Sequence, residues 1–458
     1  MTQNDHNPIL VMELNELCQP IIDRMMSQGR LPNFKRLHDE SDVFTTWTDD
    51  PSLEPWVQWP SFHTGKPQEV HGATQLDEGH KIKTRRIWDH LAEQGVESLV
   101  FGSMNGDTDR KDSVFLVPDP WSAGVEPSDE KYKDFHAFVS FYVAEHTNPN
   151  AKPTRAQTLK FVTFMLSHGL SLGTIMTAVR QLTSEKLSGS DMKWRRALIL
   201  DLLLWDVFKQ TWKTRKPKFS TFFANSSAFL QHRYWRHMSP EEYTVLPSDE
   251  EMKAYGSAIE DSYIHMDFLL GQARKLIGPS GRIVLATALS QEANTRYESI
   301  GGKFVYRAHD FAKVFEFAGG PMPQSFEPVM THQAWATFNT ETEAAEALQK
   351  ITALTSNGQA ILDATQDENR VFFYCNFISK VESGLPISNG TSGSANFDDL
   401  FMLVGQVNNS QHSRNGSFWT PAQNGKGQRH DEKLPLEDAY PLLMGLVEQS
   451  PKPARAAA

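Results

Sequence analysis

The chain has 458 residues, of which 39% are hydrophobic and 22% charged, and its formal net charge at pH 7 is −11. Ordinary apolar and charged contents of this kind exclude wholesale disorder and fibrous architectures. The acidic balance argues against a general nucleic-acid-binding protein, because such proteins concentrate Lys and Arg. The two cysteines, Cys18 and Cys375, are far apart in sequence and do not make a disulfide framework.

The sequence predicts neither a signal peptide nor a membrane span. Its first residues, MTQNDHNPILVMELNEL, lack a basic segment followed by an apolar one. The run ALILDLLLWDV (197–207) is about half the length of a membrane span, and Asp201 and Asp206 interrupt it. We therefore expect a cytoplasmic protein.

The first part of the chain alternates between strand-like and helix-like segments. ILVM (9–12) is an apolar run of strand length, a helical stretch follows it, and SLVFGSM (98–104) is a second strand candidate. Such alternation predicts a doubly wound α/β fold, with a mainly parallel sheet covered by helices on both faces. In such sheets the chemistry collects where the carboxyl ends of strands run into loops. The segments ELNE and GSMNGD follow two of these predicted ends.

The rest of the chain divides into core segments and insertions. Residues 127–215 are rich in aromatic residues and Met and show no strand pattern, which predicts a helical cap. STFFANS (220–226) returns to the sheet, and GRIVLATALS (281–290) supplies another edge strand. We expect a core in three parts (1–126, 216–299 and 396–450), a helical insertion (127–215), a smaller α+β insertion (300–395) and a disordered tail (451–458).

Several motifs then occur in a characteristic order. ILVMELNEL is followed by LPNFKRL, a Pro-rich loop and HTGKPQEVHG, and QHSRNGSFW lies near the C-terminus. This order resembles the alkaline phosphatase superfamily, which includes type I phosphodiesterases/nucleotide pyrophosphatases and sulfatases. The resemblance implies hydrolysis of a phosphate or sulfate ester, assisted by divalent metal ions that Asp and His hold.

The resemblance also implies which residues of this chain hold metal. Glu13 corresponds to the family's strand-end Asp, whereas His232 and His412 correspond to two of its His ligands. Other family ligands are absent, because Ala228 stands where the family has Asp and residues 288–290 replace its Asp-His-Gly. We expect one divalent ion, zinc or manganese, held among Glu13, Glu54, His232 and His412.

The family's nucleophile position falls at Glu54 or Pro55, so no Ser, Thr or Cys occupies it. Glu54 is therefore a candidate catalytic residue: as a metal ligand, as a general base on water, or as the attacking group. We favour activated water. Gln58, one helical turn further on, is a candidate donor to a substrate oxygen.

Each of these residues also has a structural interpretation. Glu13 suits a helix-capping acid, and Glu54 suits an N-cap before Pro55. A single His such as His232 is commonly a hydrogen-bonded surface or core residue. Asn105 and Asn225 follow predicted strands, and they are either substrate donors or turn residues.

The leading hypothesis is a divergent hydrolase of this superfamily acting on a small-molecule or glycan ester, including nucleotide-sugar or lipid-linked intermediates. ELNE, EPWVQW, PDPW and QHRYW also resemble a branch met beside bacterial surface-polysaccharide genes. Two alternatives remain open: a catalytically inactive member that binds a glycan or a protein partner, and a transferase that uses Glu54 as a base in the same cleft.

Overall fold

The structure is a computed structural model. It describes residues 7–122, 124–148, 151–187, 192–300, 302–329, 331–390, 393–406 and 409–448. The predicted tail, 451–458, therefore lies outside the described residues.

The strands are Ile9–Leu14 (β1), Ser41–Trp47 (β2), Ser98–Phe101 (β3), Val114–Val117 (β4), Phe219–Ala224 (β5), Arg282–Ala286 (β6), Ser290–Ala293 (β7), Phe304–Ala308 (β8), Ser325–Pro328 (β9), Ala334–Thr337 (β10), Thr355–Ser356 (β11), Gln359–Ala360 (β12), Leu362–Asp367 (β13), Arg370–Cys375 (β14), Pro386–Ser388 (β15), Ser394–Asn396 (β16), Phe401–Gln406 (β17), Ser410–Ser413 (β18), Asn415–Pro421 (β19) and Leu434–Pro435 (β20).

The α-helices are Gln19–Ser27 (α1), Pro32–Asp39 (α2), Pro55–Thr64 (α3), Gln68–His71 (α4), Ile87–Glu93 (α5), Lys133–Ala144 (α6), Arg155–Ser167 (α7), Leu172–Leu187 (α8), Arg196–Arg215 (α9), Ser226–Met238 (α10), Asp249–Tyr255 (α11), Ala258–Ile277 (α12), Phe311–Ala318 (α13), Glu341–Thr352 (α14), Phe397–Leu400 (α15) and Ala439–Glu448 (α16).

A single large sheet forms the centre of the molecule. Its eight strands run in the order β20-β2-β19-β6-β1-β5-β3-β4. The pairs that β1 makes with β5 and β6, and β3 with β4 and β5, are parallel, whereas β19 runs antiparallel to β2 and β6. The predicted α/β fold with a mainly parallel sheet is thus confirmed.

Strand β1 lies in the middle of this sheet and is buried along its whole length. Successive strand residues face opposite sides. Leu10, Met12 and Leu14 accordingly join an apolar cluster with α1, α2, α9, α10 and α12. Ile9 and Val11 join a second cluster with α3, α5 and α16 on the other face. This two-sided burial explains why the strand reads as a continuous apolar run.

The sequence predicts β6 as an edge strand, but the strand lies in the interior of the sheet. It pairs with β1 on one side and with β19 on the other. The antiparallel pairing with β19, from the far end of the chain, covers the side that would otherwise be exposed. Burial of Val284 and Leu285 on both faces fits this interior position.

Two other segments lie outside the sheet. Between β4 and β5 the described residues form helices α6 to α9. Strands β8 to β17 form smaller sheets, and β17 pairs antiparallel with β8. The sequence-based expectation placed residues 396–450 in the core; strand β17, within that range, pairs with β8 and not with a strand of the central sheet. Among the described helices, none combines the length and apolar content needed to cross a bilayer.

Candidate functional site

Three side chains from distant parts of the chain meet at the carboxyl end of β1. Glu16 lies in the loop after β1, His232 in helix α10 and His412 in strand β18. Strand β18 pairs with β7, which sets His412 opposite Gln291. The backbone N–H of Asn409 donates to the His232 carbonyl oxygen at 2.9 Å and ties α10 to β18.

The three candidate ligand atoms form a compact triangle. Glu16 Oε2 lies 3.2 Å from His232 Nε2 and 3.4 Å from His412 Nε2. The two Nε2 atoms are 3.2 Å apart. Ligands at about 2.0–2.1 Å from a tetrahedral zinc ion are separated by about 3.3–3.4 Å, so the triangle matches one face of such a site.

Hydrogen bonds hold the Glu16 carboxylate in this position. Its Oε1 accepts from Asn15 Nδ2 at 2.8 Å, and its Oε2 accepts from Gln291 Nε2. Glu16 has a positive φ of 60°, a conformation that side-chain-bearing residues seldom adopt. The Glu16 N–H donates to the Thr287 carbonyl oxygen at 3.3 Å. These contacts turn the Glu16 side chain away from the sheet and toward the two His residues.

The charges of the triangle are strongly coupled. Burial raises the pKa of Glu16, but the nearby His412 charge and hydrogen bonds to His232 and His412 outweigh it and hold this pKa well below its usual range. Burial lowers the pKa of His412, whereas the Glu16 and Glu54 carboxylates raise it, with a net upward shift. The centre therefore favours positive charge at His412, where a bound cation would replace the proton.

Glu54 lies on the side of the His412 ring that faces away from Glu16. It is the N-cap residue of α3, directly before Pro55, but its side chain makes no capping hydrogen bond. Glu54 Oε2 is 3.6 Å from His412 Nδ1, and its side chain is 40% exposed. Burial and, to a smaller extent, the Glu16 charge raise the Glu54 pKa, although His412 opposes them. Glu54 is thus a solvent-reaching carboxylate beside the triangle rather than a corner of it.

Glu13 is not part of this cluster, contrary to the expectation from the sequence. It is fully buried, and its Oε1 lies 2.9 Å from His63 Nε2 of helix α3. The reason is strand periodicity: Glu13 faces the same side of β1 as Ile9 and Val11, toward α3. Glu16, three residues further on in the motif ELNE, lies beyond the end of the strand.

Gln58, the candidate donor to a substrate oxygen, has its side-chain N–H groups bonded within the protein. Its side chain is fully buried, and its Nε2 donates to the Ser52 carbonyl oxygen at 2.8 Å and to Asp50 Oδ2 at 3.2 Å. These bonds fix the loop that leads to Glu54. Gln58 is therefore placed to position this loop.

The two Asn candidates differ in their surroundings. Asn105 is fully buried; its Oδ1 accepts from the N–H groups of Glu78 and Gly79, and its Nδ2 donates to the carbonyl oxygens of Trp56 and Gln75. With a φ of 53°, it is a turn residue whose amide is fully used.

Asn225, in contrast, lies beside the triangle. Its Oδ1 accepts from Asn15 Nδ2 at 2.8 Å. The Oδ1 of Asn15 accepts in turn from Trp59 Nε1 at 2.8 Å. Trp59 thus helps to hold the Asn15 amide, which contacts both Glu16 and Asn225.

A buried Ser–His pair joins helices α3 and α4. Ser61 Oγ lies 3.0 Å from His71 Nε2, and His71 Nδ1 accepts from the Ala73 N–H. The protonated Nε2 therefore donates to Ser61, whose hydroxyl donates to the Val57 carbonyl oxygen at 3.3 Å. Burial lowers the His71 pKa to about 4. His71 is arranged as a donor and not as a base for Ser61.

No protein-family model matches this chain, and no curated protein matches it in sequence. Phosphonoacetate hydrolase from Sinorhizobium meliloti 1021 is similar over 96% of both chains, with 11% identity and a TM-score of 0.43. Murine ectonucleotide pyrophosphatase/phosphodiesterase 5 is similar over 98% of this chain and 97% of its own, with 10% identity and a TM-score of 0.39. The human protein of that name has 9% identity and a TM-score of 0.37 over the same shares. The likeness concerns the fold alone.

Proposed function

We propose that this protein hydrolyses a phosphate or sulfate ester at the Glu16–His232–His412 triangle. The observation that carries the proposal is the size of the triangle, whose sides of 3.2, 3.2 and 3.4 Å suit one divalent cation. A carboxylate and two imidazoles are a donor set that zinc, manganese and iron accept. A bound ion would act as a Lewis acid on an ester oxygen and lower the pKa of water.

Glu54 is the general base in this proposal. Its raised pKa makes the carboxylate a better proton acceptor near neutral pH than an ordinary Glu. Its exposure leaves room for a water molecule between Glu54 and the ester. Glu54 takes a proton from that water as its oxygen attacks phosphorus or sulfur. The ester bond then breaks, and the leaving oxygen takes a proton from solvent.

His412 links the two carboxylates. Its Nε2 faces Glu16 and its Nδ1 faces Glu54. A ligand His commonly places its second nitrogen against a carboxylate, which fixes the ring orientation. In this arrangement Glu54 holds the His412 ring as well as accepting the proton from water. Asn225, hydrogen-bonded to Asn15 beside Glu16, is the proposed donor to a substrate oxygen.

The chemistry of the centre and the motif resemblance support the proposed substrate class. Carboxylates without a cation would repel a phosphate or sulfate ester, so the triangle must carry positive charge for such an anion to bind. The esters of glycans, nucleotide sugars or lipid-linked sugars are the proposed substrates. A protein that keeps the metal and the cleft but only binds such a glycan is the second candidate, because Glu54 replaces the hydroxyl nucleophile of the family it resembles.

The deciding experiment is elemental mass spectrometry of the untagged protein. The His232→Ala/His412→Ala variant is compared with wild type and with His80→Ala/His309→Ala, which removes two exposed His residues elsewhere. We expect near-stoichiometric metal in wild type and in the control, and loss in the first variant. A wild-type protein that binds no divalent metal, after incubation with zinc or manganese, would contradict the metal centre.

Hydrolysis is then measured with a phosphomonoester, a phosphodiester and a sulfate ester of p-nitrophenol. We expect Glu54→Gln to keep the metal and to lose at least about a hundredfold in kcat, the usual contribution of a general base. Metal binding without turnover of these or of glycan esters would favour the binding protein over the hydrolase.

A further inference from the structure

Helices α7 and α8 turn apolar side chains toward solvent. In α8, Leu172 is 80% exposed and Leu187 82% exposed, and in α7 Leu159 and Leu166 are 68% and 65% exposed. These belong to a larger set, which we call the apolar face: Leu159, Val162, Leu166, Leu172, Met176, Val179, Leu182 and Leu187. Exposed apolar side chains that recur along a helix in this way mark an interaction surface.

The helical periodicity shows that the exposure of α8 is one-sided. Leu172, Met176 and Val179 recur at every third or fourth position and therefore share one side of the helix. The opposite side carries Thr174 and Gln181, and both of these polar residues are buried. Helix α8 thus presents its polar side to the protein and its apolar side to solvent, the reverse of an ordinary surface helix.

Hydrogen bonds hold the polar side of α8 against the protein. Thr174 Oγ1 donates to Asp206 Oδ2 of helix α9 at 2.6 Å, and the Ser171 N–H donates to the same oxygen at 2.8 Å. Gln181 Nε2 donates to the Met192 carbonyl oxygen at 2.7 Å. These specific contacts fix the orientation in which the apolar side faces outward.

The charge around the apolar face is opposite to that of the whole chain. Residues 151–187 contain five basic residues, Lys152, Arg155, Lys160, Arg180 and Lys186, and one acidic residue, Glu185, in a chain of net charge −11. Glu185 is paired with Arg196 at 2.5 Å and Lys160 with Asp134 at 3.0 Å, so the excess of positive charge in this range comes from Lys152, Arg155, Arg180 and Lys186. Arg155 precedes Leu159 by one turn, and Arg180 follows Val179, so positive charge borders the apolar side chains.

We propose that the apolar face attaches the protein to the surface of an anionic phospholipid bilayer. Helices with apolar residues on one side and Lys or Arg at the borders of that side lie in the interface of such bilayers. There the apolar side contacts the acyl chains, and the basic groups bind the lipid phosphates. A second copy of the chain is a poorer occupant, because a twofold contact would set the same basic residues against each other. The proposal is independent of the hydrolytic function.

The test is co-sedimentation of the full chain with vesicles of phosphatidylcholine alone and of phosphatidylcholine mixed with phosphatidylglycerol. We expect binding to the mixed vesicles and little to the neutral ones, with a decrease at high salt. Leu166→Glu/Leu172→Glu should abolish sedimentation with the mixed vesicles. Leu246→Glu/Leu442→Glu, which changes exposed Leu residues elsewhere, should bind as wild type does.

A second pair of variants tests the charge. Arg155→Glu/Arg180→Glu should lower the partition coefficient at least about 25-fold, because each basic residue near an anionic surface contributes a factor of about five. Lys66→Glu/Arg296→Glu makes the same change in net charge away from the apolar face and should have little effect. Thermal unfolding of each variant checks that it is folded.

Three results would overturn the proposal. One is equal binding of wild type and the Leu166→Glu/Leu172→Glu variant to the mixed vesicles. Another is absence of binding to either vesicle. The third is a wild-type protein that is dimeric in size-exclusion chromatography and does not bind vesicles, together with a monomeric Leu166→Glu/Leu172→Glu variant. That result would assign the apolar face to a second copy of the chain.

Discussion

His412 Nε2 lies 3.2 Å from His232 Nε2, although the two residues are 180 positions apart in sequence. Strand β18 and helix α10 carry them, and Asn409 joins these two elements through its backbone N–H. Both rings direct Nε2 toward the same oxygen of Glu16. This convergence is the basis of the proposed metal centre and of the predictions that concern it.

Exchange of one carboxylate should distinguish Glu16 from Glu13. We expect Glu16→Gln to lower metal affinity at least about tenfold, because an amide oxygen replaces an anionic ligand. Glu13→Gln should keep the metal, since Glu13 faces helix α3 and contacts His63 there rather than the two His ligands. Titration with zinc, read by competition with a chromophoric chelator, checks both variants. Metal loss in Glu13→Gln alone would reverse the assignment.

Gln291 should increase the metal affinity of the centre by orienting Glu16, without binding metal itself. Its Nε2 donates to Glu16 Oε2 and, at 3.2 Å, to the Ala228 carbonyl oxygen. We expect Gln291→Ala to weaken metal binding about 10- to 100-fold, the usual effect of removing a group that orients a ligand. Gln411→Ala, on the paired strand β18 and exposed, is the matched control. Identical affinities in the two variants would remove this role from Gln291.

The buried Glu13–His63 pair should matter for stability. His63→Ala would leave the Glu13 carboxyl without its partner in an apolar cluster, and we expect a loss of about 3 kcal/mol in the free energy of unfolding. The double variant Glu13→Leu/His63→Phe should be less destabilised than His63→Ala, because no polar group is then left unpaired. Denaturant unfolding measures all three proteins. A double variant at least as destabilised as His63→Ala would contradict the prediction.

Asp201 should make stability depend on pH. Burial raises its folded-state pKa from 3.8 to about 7. Below the unfolded pKa both states hold the proton; as pH rises toward 7 the unfolded state releases it first, so the free energy of unfolding falls. The loss is complete above the folded pKa.

We expect Asp201→Asn to flatten this dependence, with a relative gain of up to about 4 kcal/mol at alkaline pH, at about 1.36 kcal/mol per pKa unit. The measurement is urea unfolding at several pH values between the two pKa values and above them. Asp112→Asn, at an exposed position, should keep the wild-type slope. Parallel pH profiles for wild type and Asp201→Asn would contradict the prediction.

The fold class could be predicted because hydrophobic patterning is local. The buried run of β1 and the helices after it are visible in the sequence as an apolar stretch and as amphipathic segments. The order of strands in a sheet depends on pairing between distant segments, which a local pattern does not show. For that reason the sequence placed β6 at an edge. The return strand β19, more than a hundred residues later, decides its position. The same limit explains why the pairing of β17 with β8 was missed.

The sequence by itself determined the α/β fold and, through the motif resemblance, drew attention to His232, His412 and Glu54. The tertiary structure decided which carboxylate accompanies them. Glu13 and Glu16 stand in the same motif, but β1 ends at Leu14, so the alternation of strand side chains buries Glu13 against His63. The turn after the strand directs Glu16 to the two His residues. A position relative to a strand end, and contacts between elements far apart in the chain, are properties of the folded molecule alone.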